Sequence, residues 1–358
     1  MVVVAPELID TPDALEQLLQ RLESGIAAGR TVAIDTEFHS EFRYRPRLML
    51  IQLRLSDQAP VLVDPRALGD LRPLGRVLSR GTLLFHAPGQ DLPLLQSDLG
   101  LRPQAVIDTQ VLAGFAALGF PRSLGELIRE VLDIALPKQS TLSDWKQRPL
   151  SAQQMAYAAD DVLHLHALEA ALTARLSPES RAWAAECTQE RMESALSPVR
   201  FDQAWRRLGA ARVLRGADLE LLQAIAAWRE QHAFEANQPP HQVLSNGLLL
   251  DLVRRRPQST AQMAENRRFP KRVMRDHGEP LLALIQAHPE RYEPPDRRQE
   301  ASQNVRELAF KAAVARRGFE LGIAPELLTP GEDRVTFRDM SRLSGWRKTA
   351  LRELNINV

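Results

Sequence analysis

Apolar residues in the first half of the chain fall into short, nearly continuous runs separated by stretches of helical spacing. Thr31–Glu37 (TVAIDTE), Leu48–Leu53 (LMLIQL), Pro60–Asp64 (PVLVD) and Thr82–His86 (TLLFH) read as strands, and Val106–Asp108 as one more short strand. Arg66–Ser79 and Gly89–Ser97 repeat apolar residues at helical intervals. From Ser123 onward strand signals stop, and Ser151–Leu176 reads as one long helix with Ser151 as its N-cap. A mixed sheet flanked by helices is the architecture these patterns imply, an α/β domain expected over residues 1–195.

The second half is patterned almost entirely as helix. Leu214–Gln231 and Asn246–Arg256 are amphipathic, and Pro239, Pro240, Pro257 and Pro270 punctuate the segment into short elements. A polar stretch, Pro289–Gln303, precedes a last helical block, Val305–Val358. One or two small all-α modules are therefore expected behind the α/β domain, at 210–290 and 298–358.

Composition narrows the class. With 358 residues, and roughly 150 per domain, two or three domains are expected. Hydrophobic residues at 44% and charged residues at 25% exclude wholesale disorder. The single cysteine, Cys187, excludes an intrachain disulfide or a cysteine zinc site. No apolar run approaches the ~18 residues of a membrane span, and the N-terminus lacks the pattern of a signal peptide. A soluble, cytoplasmic monomer is the expectation. Residues 1–200 carry a net −5 and residues 201–358 a net +6. An acidic front suits a cation site and a basic back suits a polyanion.

Three groups of residues carry candidate chemistry. Asp35 and Glu37 stand two apart at the end of a strand and share a face, so both carboxylates can reach one hard cation. Asp91 follows Phe85-His86-Ala87-Pro88-Gly89-Gln90, a strand turning into a helix. There it either favours the helix dipole or adds a third carboxylate at the sheet edge. His86 offers a substrate contact or a packed, hydrogen-bonded histidine. Tyr157 and Asp161 are four apart on one helix face, while Asp160 points about 100° away, toward solvent or a cap contact.

In order and spacing, a strand DxE, a later Asp and a helical YxxxD resemble the exonuclease motifs of the DEDD superfamily, in its DEDDy branch. Asp35-Thr36-Glu37-Phe38, Leu50-Ile51-Gln52-Leu53 and His86-Ala87 with Asp91 are similar to ribonuclease D. So are Leu136-Pro137-Lys138, Ser143-Asp144-Trp145, Arg148-Pro149-Leu150 and Gln154 leading into Tyr157-Ala158-Ala159. Gln90 stands where relatives often carry an acidic residue. Leu214 to about Ala287 resembles an HRDC domain, the helical module shared with RecQ-type helicases, and residues 298–358 are read as a second, diverged copy.

The resemblance implies a ribonuclease H-like fold and a 3′→5′ exoribonuclease that releases nucleoside 5′-monophosphates from RNA with a free 3′ end, tRNA precursors among them. It also implies two Mg²⁺ or Mn²⁺ ions, as an all-oxygen donor set favours and as two-metal phosphodiester hydrolysis requires. In these implied roles Asp35 bridges both ions, Glu37 and Asp161 help hold the ion that activates water, Asp91 supports the second, and Tyr157 positions the attacking water. Arg254, Arg255, Arg256, Arg267, Arg268, Lys271 and Arg272 are candidate phosphate contacts, and Arg43, Arg45 and Arg47 lie near the active strand. Two further readings stand beside this one. The first is a 3′→5′ DNA exonuclease using the same residues. The second, disfavoured because all four carboxylates and the tyrosine are present, is a non-catalytic nucleic-acid-binding protein.

Overall fold

Six strands form one sheet: β1 (Glu7–Ile9), β2 (Val32–His39), β3 (Arg47–Leu55), β4 (Val61–Val63), β5 (Thr82–Phe85) and β6 (Ala105–Asp108). The computed structural model describes residues 6–136, 144–266, 269–292, 297–329, 343–352 and 354. Pro137, Lys138, Ser143, Arg267 and Arg268, singled out above, lie outside them. The strand order is β1-β4-β3-β2-β5-β6, with β3 antiparallel to both its neighbours and the other pairings parallel. The expected mixed sheet is therefore present, with β1 as an additional edge strand too short to announce itself.

The described chain divides into two compact units. The first comprises residues 1–39, 47–197 and 303–358, and its helices cover both sheet faces. Period-2 alternation in β2 sends Val32 and Ile34 to one face and Ala33 to the other. Val32 and Ile34 pack with α1 (Pro12–Ala27), α2 (Arg72–Leu78) and α3 (Asp91–Leu99). Along α1, Leu15, Leu18, Leu22 and Gly25 are buried at helical spacing, behind an N-cap in which Thr11 Oγ1 accepts from the Ala14 amide. The other face is covered by α4 (Thr109–Phe115), α5 (Leu124–Leu132), α6 (Ala152–Leu163) and α7 (Leu165–Ala174). The long helix α8 (Pro178–Leu196) contributes to the cores on both sides, through Met192 on one and Cys187 on the other.

Two differences from the periodicity stand out. Arg66–Ser79 is helical only from Arg72, because Asp64 Oδ1 accepts from the Arg66 amide and turns the preceding residues out of the helix. The single helix read over Ser151–Leu176 is two, broken at His164, whose φ of −103° and ψ of −3° depart from regular helix values. Neither proline nor glycine marks that break. Val162 and Leu165, on either side of it, are both buried against Ala33 and Leu84.

The second unit comprises residues 40–46 and 198–302. Two 3₁₀ turns, Phe201–Arg207 and Gly209–Arg212, lead into α9 (Gly216–Glu235), α10 (Pro240–Val243), α11 (Asn246–Arg255), α12 (Thr260–Ala264) and α13 (Lys271–Ala287). Leu221, Leu222, Ile225, Leu249, Leu252, Leu281 and Ile285 form its core. The loop 40–46 packs within this unit. Tyr44 Oη donates to Glu230 at 2.6 Å and its ring meets Phe234 edge-on, while the Arg45 guanidinium lies 4.2 Å from the Phe234 ring centroid.

The last helices are α14 (Arg297–Leu321), α15 (Pro325–Leu328) and α16 (Gly345–Ala350). The stretch read as a polar separator is thus helical from Arg297, where prolines cease and good helix formers follow. Residues 298–358 were expected as a module of their own. Instead Phe310, Val314, Leu327, Leu328 and Trp346 share one core with Val111, Phe115, Leu127, Leu168 and Cys187 of the first unit. No described helix is long and apolar enough to cross a membrane.

Candidate active site

The site forms where β2 outruns its neighbour. β5 pairs only with Val32 and Ala33, so the strand from Asp35 onward is open on that side. Asp35 and Glu37 share the face that α6 covers, and a register shift follows directly between Glu37 and Phe38. Across that face comes Asp161 of α6. One ligand oxygen from each of Asp35, Glu37 and Asp161 lies within 4.8 Å of the others.

Asp91 arrives from the opposite face, at the first turn of α3, and is buried. Thr36, whose side chain alternates to that face, donates from Oγ1 to Asp91 Oδ1 at 2.5 Å. Thr36 was not singled out from the sequence. The middle residue of a DxE gives no sign of its partner until the strand edge and the helix start are placed together.

The seating of α6 explains much of the remaining motif. Ser151 and Gln154 form a reciprocal capping box: Ser151 Oγ accepts from the Gln154 amide at 3.1 Å and Gln154 Oε1 from the Ser151 amide at 3.0 Å. Gln154 Nε2 also donates to the Asp144 carbonyl. Arg148 forks onto Asp64, which is 3% exposed, and donates to the Met49 carbonyl of β3. Trp145 packs on Tyr157 with ring centroids 5.9 Å apart. The segment from Asp144 to Gln154 is thus a brace that holds α6, and with it Tyr157 and Asp161, over the strand carboxylates.

Crowded carboxylates in a poorly hydrated site hold their protons. Burial, then the charges of Asp161 and Asp91, raise Asp35 well above the usual carboxylate range. Burial, then Asp35 and Asp91, push Glu37 to about 8, and burial, then Glu37 and Asp160, push Asp161 to about 8. Asp91 is raised chiefly by burial, with the Thr36 hydrogen bond opposing. Such a cluster is costly when ionised alone and is relieved by cations. Four carboxylate side chains with no nitrogen or sulfur donor among them suit a hard divalent metal. Tyr157 is raised above its ordinary value by burial and by Asp161, Glu37 and Asp35, so its hydroxyl keeps its proton at neutral pH.

Several candidates fall elsewhere. Both ring nitrogens of His86 are used within the protein, Nδ1 with Thr109 Oγ1 at 2.9 Å and Nε2 with the Arg122 carbonyl at 3.0 Å. Burial lowers its pKa, so the neutral ring donates from Nε2 and accepts at Nδ1. Its reading as a nucleic-acid contact gives way to a structural one. Arg256 is likewise corrected: it is 5% exposed, and its guanidinium is held by Asp218 and by the carbonyls of Ala217 and His288. Arg255 pairs with Asp251 at 2.8 Å and Arg272 with Asp276 at 3.5 Å, both on exposed faces. Arg254 and Lys271 are exposed. Asp160 is half-buried off the cluster, with His164 as its charge neighbour, as its helical angle required.

Comparison with known proteins agrees with this geometry. A family model described as a 3′-5′ exonuclease matches residues 6–177, and one described as an HRDC domain matches residues 218–285. Ribonuclease D of Pseudomonas paraeruginosa is 32% identical over 351 residues, covering 91% of each chain. Ribonuclease D of Desulfotalea psychrophila is 29% identical, covering 97% of this chain and 96% of its own. The crystal structure of Escherichia coli RNase D, described as an exoribonuclease involved in structured RNA processing, superposes with a TM-score of 0.77. It is 27% identical, covering 98% of this chain and 97% of that one. A divalent-metal 3′-5′ exonuclease domain with its acidic cluster assembled, an HRDC domain and this extent of similarity together place the chain in the ribonuclease D family of 3′→5′ exoribonucleases.

Proposed function

We propose that Asp35, Glu37, Asp91 and Asp161 hold two Mg²⁺ or Mn²⁺ ions and that Tyr157 orients the water attacking the terminal phosphodiester of an RNA 3′ end. The observation that carries this reading is the convergence of Asp35, Glu37 and Asp161 oxygens within 4.8 Å on the open end of β2. When bound, such ions supply acidity to the nucleophile and neutralise charge on the entering and leaving oxygens. Asp35, raised by both Asp161 and Asp91, sits electrostatically between the two halves of the cluster and suits a shared ligand. Glu37 and Asp161 complete one position. Asp91, oriented by Thr36 through one oxygen, serves the other. Tyr157 keeps its proton and acts as a hydrogen-bonding group, not as a base.

The substrate we assign is structured RNA with a free 3′ end, tRNA precursors included, digested to nucleoside 5′-monophosphates by a monomer. The description of the Escherichia coli relative supports the substrate class. We divide the chain into a nuclease at 1–195 and an HRDC domain at 210–290, with the described helical segments of 303–358 completing the nuclease core. Arg254 and Lys271 remain as phosphate contacts, for which exposure and positive charge speak. The test is digestion of a 3′-extended tRNA transcript beside single-stranded RNA and DNA of matched sequence. Shortening of the RNAs from the 3′ end to 5′-monophosphates is expected, and faster loss of the DNA would reassign the substrate while leaving the chemistry intact.

A further inference from the structure

Gln52 lies in the middle of β3 with 0% exposure, yet neither Nε2 nor Oε1 of its amide has a hydrogen-bond partner among the described residues. Fully buried amides are nearly always partnered, and one that is not requires an explanation. Its place in the sheet supplies one. In the β2–β3 ladder Gln52 stands directly opposite Asp35, and in the β3–β4 ladder opposite Leu62. Directly opposed residues point to the same face, with Cβ atoms about 4.5–5.5 Å apart. Leu50 and Leu62 on that face pack with Ala158 and Tyr157 of α6. The amide is therefore enclosed beneath α6, with apolar neighbours along one side and the central carboxylate of the cluster on the other. Arg54, the next side chain of β3 on this face, is already committed to the Gln58 carbonyl and to His166.

A carboxylate that ligates cations keeps lone pairs that the cations do not use. Donors behind it fix its orientation and raise its affinity as a ligand. We propose that Gln52 is a positioning residue of the site: its Nε2–H donates to the Asp35 carboxylate while that carboxylate holds cations, fixing the ligand's orientation. This rests on the reading of Asp35 as a metal ligand. It also accounts for an amide inside a strand whose neighbours Ile51 and Leu53 are apolar and buried.

Wild type, Gln52→Met and Asp35→Asn are compared by calorimetric Mn²⁺ titration without RNA and by melting in EDTA. Methionine keeps the length and approximate volume of glutamine and lacks the amide. Gln52→Met is expected to melt in EDTA at or above the wild-type temperature, because a buried unpaired amide has been removed. Its Mn²⁺ affinity is expected to fall about 10–100-fold, with kcat reduced and KM for RNA unchanged. Unchanged Mn²⁺ affinity would overturn the proposal. Failure of Gln52→Met to fold in EDTA would overturn it too, since a role confined to orienting a ligand leaves the cation-free fold intact. If Asp35→Asn binds Mn²⁺ as wild type does, the ligand assignment itself fails, a result separable from failure at Gln52.

Discussion

Asp35, Glu37 and Asp161 keep protons in the folded, cation-free protein that the unfolded chain has already lost. Glu37 ordinarily titrates near 4.5 and here near 8. Between those values the native state binds more protons than the unfolded state, so stability falls as pH rises, and the contribution of Glu37 and Asp161 is lost as pH passes about 8. Divalent cations held there would replace the protons, and their stabilising effect should grow over the same window. In melting experiments, Mg²⁺ or Mn²⁺ should raise the Tm relative to EDTA more at pH 8 than at pH 5. An equal increment at both pH values would show that the cluster does not bind the cations. Tyr157→Phe tests the other residue of the site. It should lower kcat about 100-fold, in the range of a positioned polar group in catalysis, while leaving Mn²⁺ affinity and Tm near wild type. Asp35 with Glu37 and Tyr157 with Asp161 were legible as pairs because strand alternation and helical spacing put each pair on a common face, whereas their grouping with Asp91 into one site came from the order of motifs that resembles the family. Thr36 and Gln52 were not, because each acts across a strand boundary that one segment of sequence does not display.

The element that places Asp161 and Tyr157 is α6, and what places α6 is the segment before it. Arg148 is the keystone, with its guanidinium on buried Asp64 and on the Met49 carbonyl. Hydrogen bonds from Arg148 hold Asp64 below the usual carboxylate range against the opposing effect of burial. Removing one partner of such a pair leaves a buried charge uncompensated, at a cost of about 3–5 kcal/mol. Arg148→Met should therefore lower unfolding stability by about that amount in denaturant titrations and reduce activity in the surviving folded fraction. A loss below about 1 kcal/mol, the range of exposed pairs, would remove Arg148 from this role. At this scale β2 to β6 were legible to within a residue or two, since buried runs bounded by turns carry a strong signal, while the three-residue β1 was not. The break at His164 was not, because it answers to the burial of Val162 and Leu165 and to no local breaker. Nor was the late start of α2, which depends on a side-chain contact from Asp64.

Across the whole chain, the described helical segments that follow residue 303 share the core of the nuclease unit. Trp346 is 1% exposed, packs on Phe115 and Trp183, and its backbone amide donates to Glu186 of α8. Gly345 has a φ of +56°, a conformation that favours glycine, where the chain turns into α16 beside the Glu186 carboxylate of α8. Trp346→Ala should cost about 3–5 kcal/mol, as for large aromatic truncations in a core, and should destabilise the nuclease as measured by its melting and by its Mn²⁺-dependent activity. An unchanged melting profile would show the last helices to be separable. Sequence spacing identified them as helices yet not as part of this core, because apolar stripes reveal that a helix is buried without revealing against what. The helices of the HRDC region were legible from their own apolar pattern, and the HRDC identity from the residues that resemble that family. Its basic residues were only partly so, since Arg256 and Arg254 lie two apart in sequence and on opposite sides of burial.

We propose that the four carboxylates gathered at the open end of β2, from β2, α3 and α6, carry cation-dependent removal of nucleotides from an RNA 3′ end. The most direct measurement is digestion of 5′-end-labelled RNA with Mg²⁺, Mn²⁺ or EDTA, with a 3′-phosphate-blocked RNA and the Asp35→Asn variant alongside. A ladder of products shortening from the 3′ end is expected with either cation. It should be lost in EDTA and in Asp35→Asn, and impeded by the 3′-phosphate. Shortening that persists in Asp35→Asn, or that proceeds in EDTA, would contradict the account.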